Sequence, residues 1–217
     1  MKTTGIKEKT LITVIRHGET EWNRKGIPQG HLDSPLTREG RKQASAAAAA
    51  LQSGYDVLLS SSLGRAVITA EIIGEKLGLP VIEEDNLRER NLGILQGLTM
   101  DEFRASYPSD HKQFRSLNPD YVIPGGESIR QRFERAVWAF NAVAAAHRGK
   151  KVLVVTHGGI MLSLFMHTVG IPVDTPRRFS LVNGSINRFS HQEEWFLESW
   201  GETRHLGAIT GSGYQGQ

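Results

Sequence analysis

The chain has 217 residues with no cysteine, and 26 Lys plus Arg against 23 Asp plus Glu give it a formal charge of +3. A single domain of this length buries a core without staples, and zero Cys excludes disulfides, thiolate nucleophiles and Cys-ligated zinc while suiting a reducing cytosol. The charge excess is small and dispersed, which predicts an ordinary solvated surface and no nucleic-acid partner.

Residues 1–10 read as a flexible lead-in; MKTTGIKEKT is polar and lacks the apolar segment of a signal peptide. LITVI (Leu11 to Ile15) is a buried-strand candidate, rich in β-branched residues. A helix is predicted from a Thr37 N-cap through the alanine run Ala46 to Ala50, ending near Gly54. DVLLSS (Asp56 to Ser61) is the second strand, Leu63 to Leu77 a helix stopped by Gly78, and PVIEE (Pro80 to Glu84) a short third strand. Tyr107-Pro108, Asn118-Pro119 and Pro124-Gly125-Gly126 mark residues 99–126 as an irregular insertion around short helices. A long helix follows, Ser128 to His147, then the strand KVLVV (Lys151 to Val155) and a helix from Gly158 to Val169. Asn187 to Ser190 and Trp195 to Ser199 close the domain as strands. The Gly-rich end, residues 207–217, reads as a frayed tail. No apolar run approaches the ~20 residues that span a bilayer, so no membrane partner and a cytoplasmic location are expected.

Strands alternating with helices predict one α/β domain, residues 11–206: a three-layer sandwich, mainly parallel, with helices on both faces. Ligands bind such sheets at the carboxyl ends of the strands. LITVI runs into Arg16-His17-Gly18-Glu19-Thr20, KVLVV runs into Thr156-His157-Gly158-Gly159, and the second strand leads through Ser60-Ser61-Ser62 to Arg65. Separate segments therefore deliver two histidines and two arginines to one sheet edge, each histidine followed by a glycine that allows close backbone approach. A lone histidine or arginine would be read as surface or core; the joint placement asks for chemistry.

Two histidines with Glu19 and Glu89 could ligate a metal. Guanidinium groups, however, repel a cation and match phosphate oxygens bidentately. An arginine-walled pocket suits an anion, a neutral imidazole there can attack phosphorus, and a carboxyl group must protonate the departing alcohol. No metal and no cofactor are expected.

Arg16-His17-Gly18-Glu19-Thr20-Glu21-Trp22-Asn23, Gln29-Gly30, Asp33-Ser34-Pro35-Leu36-Thr37, Gly40, Ser61 to Glu71, Leu87-Arg88-Glu89-Arg90, Gly93-Leu95-Gln96-Gly97, Pro124 to Ser128 and Thr156 to Gly159 together resemble the histidine phosphatase superfamily in its phosphoglycerate-mutase-like branch. Ile68 stands where that pattern usually has glutamine. The resemblance covers about residues 11–190 and implies a phosphoglycerate-mutase-like fold acting on a small phosphorylated metabolite. It implies that His17 accepts the phosphoryl group, that Arg16, Arg65 and His157 bind it, and that Glu89 donates the proton. Gly158 stands where the acid-phosphatase branch has its Asp. Thr20, Asn23, Gln29 and Gly30 are implied in the phosphate pocket. Glu127 and Ser128 also fit a plain helix start, Trp22 packing, and Arg90 a surface ion pair.

Within the family, water or a second substrate oxygen takes the phosphate. Leu92 and Met100 replace the Tyr and Lys of glycolytic mutases, and no arginine pair lies between Met100 and Gly126; Arg177-Arg178 comes too late in the chain. The expectation is a phosphatase, with a cofactor-dependent phosphoglycerate mutase as the alternative and an inactive phosphate-binding module as a third reading. Neither composition nor pattern fixes an oligomeric state; a homodimer is compatible with both.

Overall fold

The computed structural model describes residues 8–207. The expected frayed tail, except for Gly207, and residues 1–7 of the lead-in lie outside the described residues.

Six strands form one sheet: β1 (Thr10–Arg16), β2 (Val57–Ser61), β3 (Val81–Glu84), β4 (Lys151–Thr156), β5 (Ile186–His191) and β6 (Trp195–Glu202), in the order β3-β2-β4-β1-β5-β6. The first four strands in that order run parallel, whereas β5 and β6 pair antiparallel at one edge. β1 begins one residue earlier than expected, because the buried Thr10 pairs with His191 and donates its hydroxyl to the His147 carbonyl at 3.4 Å.

Alternation along the central strands sorts side chains into two cores. Ile12, Val14, Val152 and Val154 pack on one face against Phe140, Ile160 and Leu164. Ile15, Leu153 and Val155 pack on the other against Ala47, Ala66 and Ile73. The α-helices of the described residues are α1 (Glu21–Lys25), α2 (Arg38–Ala50), α3 (Gly64–Leu77), α4 (Met100–Ser106), α5 (Pro108–Arg115), α6 (Ile129–Ala146) and α7 (Gly158–Val169); α2 and α3 carry the partners on one face and α6 and α7 those on the other. The alanine run is thus a packing device: small side chains let α2 lie close to the sheet. Thr37 and Ser128 cap α2 and α6 through their side chains, as expected of N-cap residues.

The insertion folds around its own small cluster of Leu95, Phe103 and Ile123. None of the residues of α5 is fully buried. Helix α1 went unpredicted; Thr20 and Asn23 close it with a reciprocal capping box in only five residues.

Candidate active site

The parallel register sets Arg16 opposite Thr156, so β1 and β4 end side by side and each hands its histidine to the same edge. The His17 amide donates to the Thr156 carbonyl at 2.9 Å, and the two imidazole centroids stand 5.1 Å apart. The glycine after His17 is required by close packing. A β-carbon at Gly18 would collide with the backbone of Gly40.

His17 Nδ1 lies 2.8 Å from the Gly18 carbonyl oxygen. That oxygen can only accept, so Nδ1 carries the hydrogen and Nε2 keeps its lone pair. Burial, then the Arg65 and Arg16 charges, hold the His17 imidazole well below its ordinary pKa, so the ring is neutral. His157 is held neutral by burial, Arg65, His17 and Arg16 in turn. Its Nε2 lies 2.7 Å from Ser61 Oγ, which itself accepts from the Leu63 amide. His157 Nε2 is the acceptor in reach of the Ser61 hydroxyl, which places the His157 hydrogen on Nδ1. Nδ1 is buried and has no hydrogen-bond partner among the described residues.

Arg65 enters from the first turn of α3 and is gripped from one side. Its Nη1 donates to the Leu32 carbonyl at 2.8 Å and to Asp33 Oδ1 at 2.7 Å, and its Nη2 to the Gly30 carbonyl at 2.8 Å. Gly30 adopts φ +54°, a left-handed conformation that suits glycine. Arg16 donates to the Leu181 carbonyl. Glu89 Oε2 accepts from the Gly159 amide at 2.9 Å and Oε1 from the Arg90 amide at 2.8 Å, fixing the carboxyl at the start of α7. A β-carbon on Gly159 would collide with Glu89. Arg135 secures the loop behind Glu89 by donating to the carbonyls of Asn86, Arg88 and Glu89 while forming a two-pronged ion pair with Glu127. Glu127 therefore ties this loop to α6, and Ser128 is the helix cap.

Of the expected site residues, Arg16, His17, Asn23, Gln29, Gly30, Arg65, Glu89 and Gly158 line one cavity of about 160 Å³. His157 is wholly buried beside its wall. Thr20 does not line the cavity. It is fully buried, accepts hydrogen bonds from the Asn23 amide and Gln29 Nε2, and so positions two residues that do. Asn23 Oδ1 accepts from Thr20 and Asn183, leaving the Asn23 amide nitrogen for the cavity.

Besides Thr20, four placements depart from the sequence reading. Arg90 is not a surface ion pair: it is buried, donates to the Glu127 carbonyl at 2.8 Å, and its guanidinium lies 5.6 Å from the Phe114 ring centre. Burial, and next the Arg132 charge, lower its pKa to about 10. Arg177 lines the cavity although its chain position had set it aside, because the segment after α7 folds back over the sheet edge. Arg132 and Phe114 line it as well and were missed. A signal for Arg132 did exist: it falls on the apolar face of α6, at helical spacing from Ala136, Ala139 and Phe140, where an arginine is out of place. Met100, by contrast, packs against the insertion's own cluster instead of facing the cavity.

A profile of the histidine phosphatase superfamily (branch 1) matches residues 12–203, and the chain belongs to that family. Among curated relatives, an Arabidopsis thaliana phosphoglycerate mutase-like protein 4 is 38% identical over 201 residues, 90% of this chain and 86% of the relative. An Arabidopsis thaliana metal-independent phosphoserine phosphatase is 36% identical over 207 residues, 93% of this chain and 85% of the relative. Among solved structures, a mycobacterial glucosyl-3-phosphoglycerate phosphatase superposes with a TM-score of 0.78 at 30% identity, covering 90% of this chain and 100% of that one.

Proposed function

We propose that this chain hydrolyses a small phosphomonoester through a phosphohistidine on His17, without a metal ion. The observation that carries this reading is the state of His17: a neutral ring with its hydrogen committed to the Gly18 carbonyl and its Nε2 lone pair free, beside Arg16 and Arg65. Nε2 attacks phosphorus, the bond to the alcohol oxygen breaks, and the Glu89 carboxyl transfers its proton to that oxygen. Each carboxyl oxygen has a second lone pair, so Glu89 can hold a proton while accepting its backbone hydrogen bond. Arg16, Arg65 and His157 Nδ1–H stabilise the charge on the transferring group. In the second half, Glu89 takes a proton from water, the water oxygen attacks phosphorus, and the bond to Nε2 breaks.

The guanidinium groups beside both histidines speak for an anion where a metal would otherwise sit, and the name of one relative describes it as metal-independent. The cavity, at about 160 Å³, is smaller than the ~300–1,000 Å³ of pockets for drug-sized ligands, which favours a small substrate. A phosphoglycerate mutase is the second reading. The observation on its side is that Arg90, Arg132 and Arg177 line the cavity, so the shortage of cations near Met100 no longer weighs against retention of a bisphosphate.

Brief incubation with a ³²P-labelled substrate in excess EDTA, quenched in alkali, should leave acid-labile label on the protein and none on His17→Ala. Label that persists in the variant, or activity that vanishes in EDTA and returns with Zn²⁺ or Mg²⁺, would overturn the reading. Transfer of label to phosphoglycerate faster than to water would decide for the mutase.

A further inference from the structure

Asn183 is wholly buried and has no role in the mechanism just described. It sits in the turn at residues 182–185, immediately before β5. The turn is closed by the Ser185 amide, which donates to the Val182 carbonyl at 3.2 Å, and Gly184 takes the left-handed conformation it needs, at φ +74°. The Gly184 amide donates to the Arg16 carbonyl at 2.9 Å, and the Gly184 carbonyl accepts from His205 Nε2 at 2.9 Å. These bonds dock the turn on the end of β1, beside His17.

Asparagine is common in turns because its side-chain oxygen accepts from the backbone two residues on. Here that oxygen does not serve the turn: Oδ1 has no hydrogen-bond partner among the described residues. The side chain works through its nitrogen. Nδ2 donates to the His17 carbonyl at 2.9 Å and to Asn23 Oδ1 at 3.4 Å. Both contacts require the amide in this orientation. A carbonyl can only accept, and Asn23 Oδ1 must be the oxygen because the Thr20 amide donates to it at 3.2 Å.

Asn23, which lines the cavity, therefore has two tethers of different kinds. Thr20 fastens it within its own helix turn through the capping box, which does not set where that turn stands relative to His17. Asn183 fastens it to the His17 main chain. We infer that Asn183 is a positioning residue for phosphoryl binding. Its one NH₂ group holds the His17 backbone and the Asn23 side chain in register, so that Asn23 Nδ2 donates to a phosphoryl oxygen while His17 Nε2 faces phosphorus. The inference deepens the phosphohydrolase reading, from which it takes the place of the phosphoryl group. Asn183 does not itself line the cavity and acts through Asn23.

The test is a double-mutant cycle on the full chain, with inorganic phosphate binding read by calorimetry and Tm read beside it. Asn23→Ala should weaken phosphate about 10-fold or more, the scale of a hydrogen bond to a charged group. Asn183→Ala should weaken it at least about 5-fold in the natural background and by less than about 2-fold in Asn23→Ala, where the amide it aims is gone. An equal loss in both backgrounds overturns the inference, as does an Asn23→Ala variant that binds phosphate like the natural chain. A fall in Tm with phosphate affinity unchanged marks Asn183 as a turn residue alone and also overturns it. Should Asn183→Ala not fold, Asn183→Ser decides by the same cycle: its hydroxyl falls short of Asn23, so undiminished affinity there overturns the assignment. Hydrolysis of p-nitrophenyl phosphate is measured alongside. Its absence in a chain that binds phosphate would sink the phosphatase reading, while the cycle would still judge Asn183.

Discussion

At one end of the site Arg16, His17, Arg65 and His157 sit at the carboxyl ends of β1, β2 and β4 or within a helical turn of them. At the other end Arg90 comes from the loop after β3, Phe114 from the insertion, Arg132 from the first turn of α6 and Arg177 from the segment after α7. The first end is braced by strand register and by hydrogen bonds that leave little freedom: His17 to Gly18, His157 to Ser61, and Arg65 to Gly30, Leu32 and Asp33. The second rests partly on α5, with no fully buried residue, and such lightly packed segments open at low free-energy cost. On the proposed reading, chemistry common to all phosphomonoesters falls on the rigid end and contact with the variable alcohol on the softer one.

The largest effect expected to test that division is at their border. Glu89→Gln should lower kcat on a sugar phosphate by about 10²–10⁴-fold, and much less on p-nitrophenyl phosphate, whose leaving group needs little protonation. The structure adds a second cost. Glutamine has one acceptor oxygen where Glu89 uses two, so the Gly159 or Arg90 amide loses its partner. Single-turnover rates on both substrates separate these: equal losses would make Glu89 a positioning residue. Gly159→Ala forces Glu89 and Arg132 aside and should cost about 10²-fold in kcat, the usual penalty of a small misplacement. A far smaller loss would show that this loop yields easily. Phe114→Leu removes the ring beneath Arg90. A cation–π contact of ~0.5–1 kcal/mol predicts a two- to five-fold rise in KM and little change in kcat. A drop in kcat would contradict the division.

A pH titration reaches the rigid end together with His147 and His191, whose pKa values burial also lowers, so a variant is needed to isolate it. His17 and His157 have lowered pKa values in the folded chain, with burial the first cause, so the unfolded chain binds more protons below the ordinary value of 6.5. Stability is therefore complete above about pH 6.5 and declines as pH falls past it. At pH 5.5 the loss is at most about 1.4 kcal/mol per ring, roughly 2–4 °C in Tm for each kcal/mol. His157→Gln should reduce that shift in a melting experiment; an unchanged shift would place the titrating groups elsewhere.

Most of the architecture was legible because it is written in short-range pattern. Leu11 to Ile15 and Lys151 to Val155 are apolar on both faces, as strands between two helical layers must be, and both histidines follow those strands directly. Thr20 misled because its hydroxyl turns inward to cap α1 in a helix too short to show periodicity. Arg177 misled because distance along the chain says nothing about distance across a cavity, and Arg90 because a charged loop residue reads as surface until packing against Phe114 and the Glu127 carbonyl buries it.

The sequence by itself determined that two histidines and two arginines meet at one sheet edge, because the strands bring them there; Glu89 was assigned only through the family resemblance, since it lies in a loop after β3. Tertiary structure alone decided which nitrogen of His17 is free and that Thr20 supports the site from behind. It also decided that Arg90, Arg132 and Arg177 share the cavity. Those outcomes depend on hydrogen bonds and packing between segments as far apart as residues 16 and 181, contacts that no local pattern encodes.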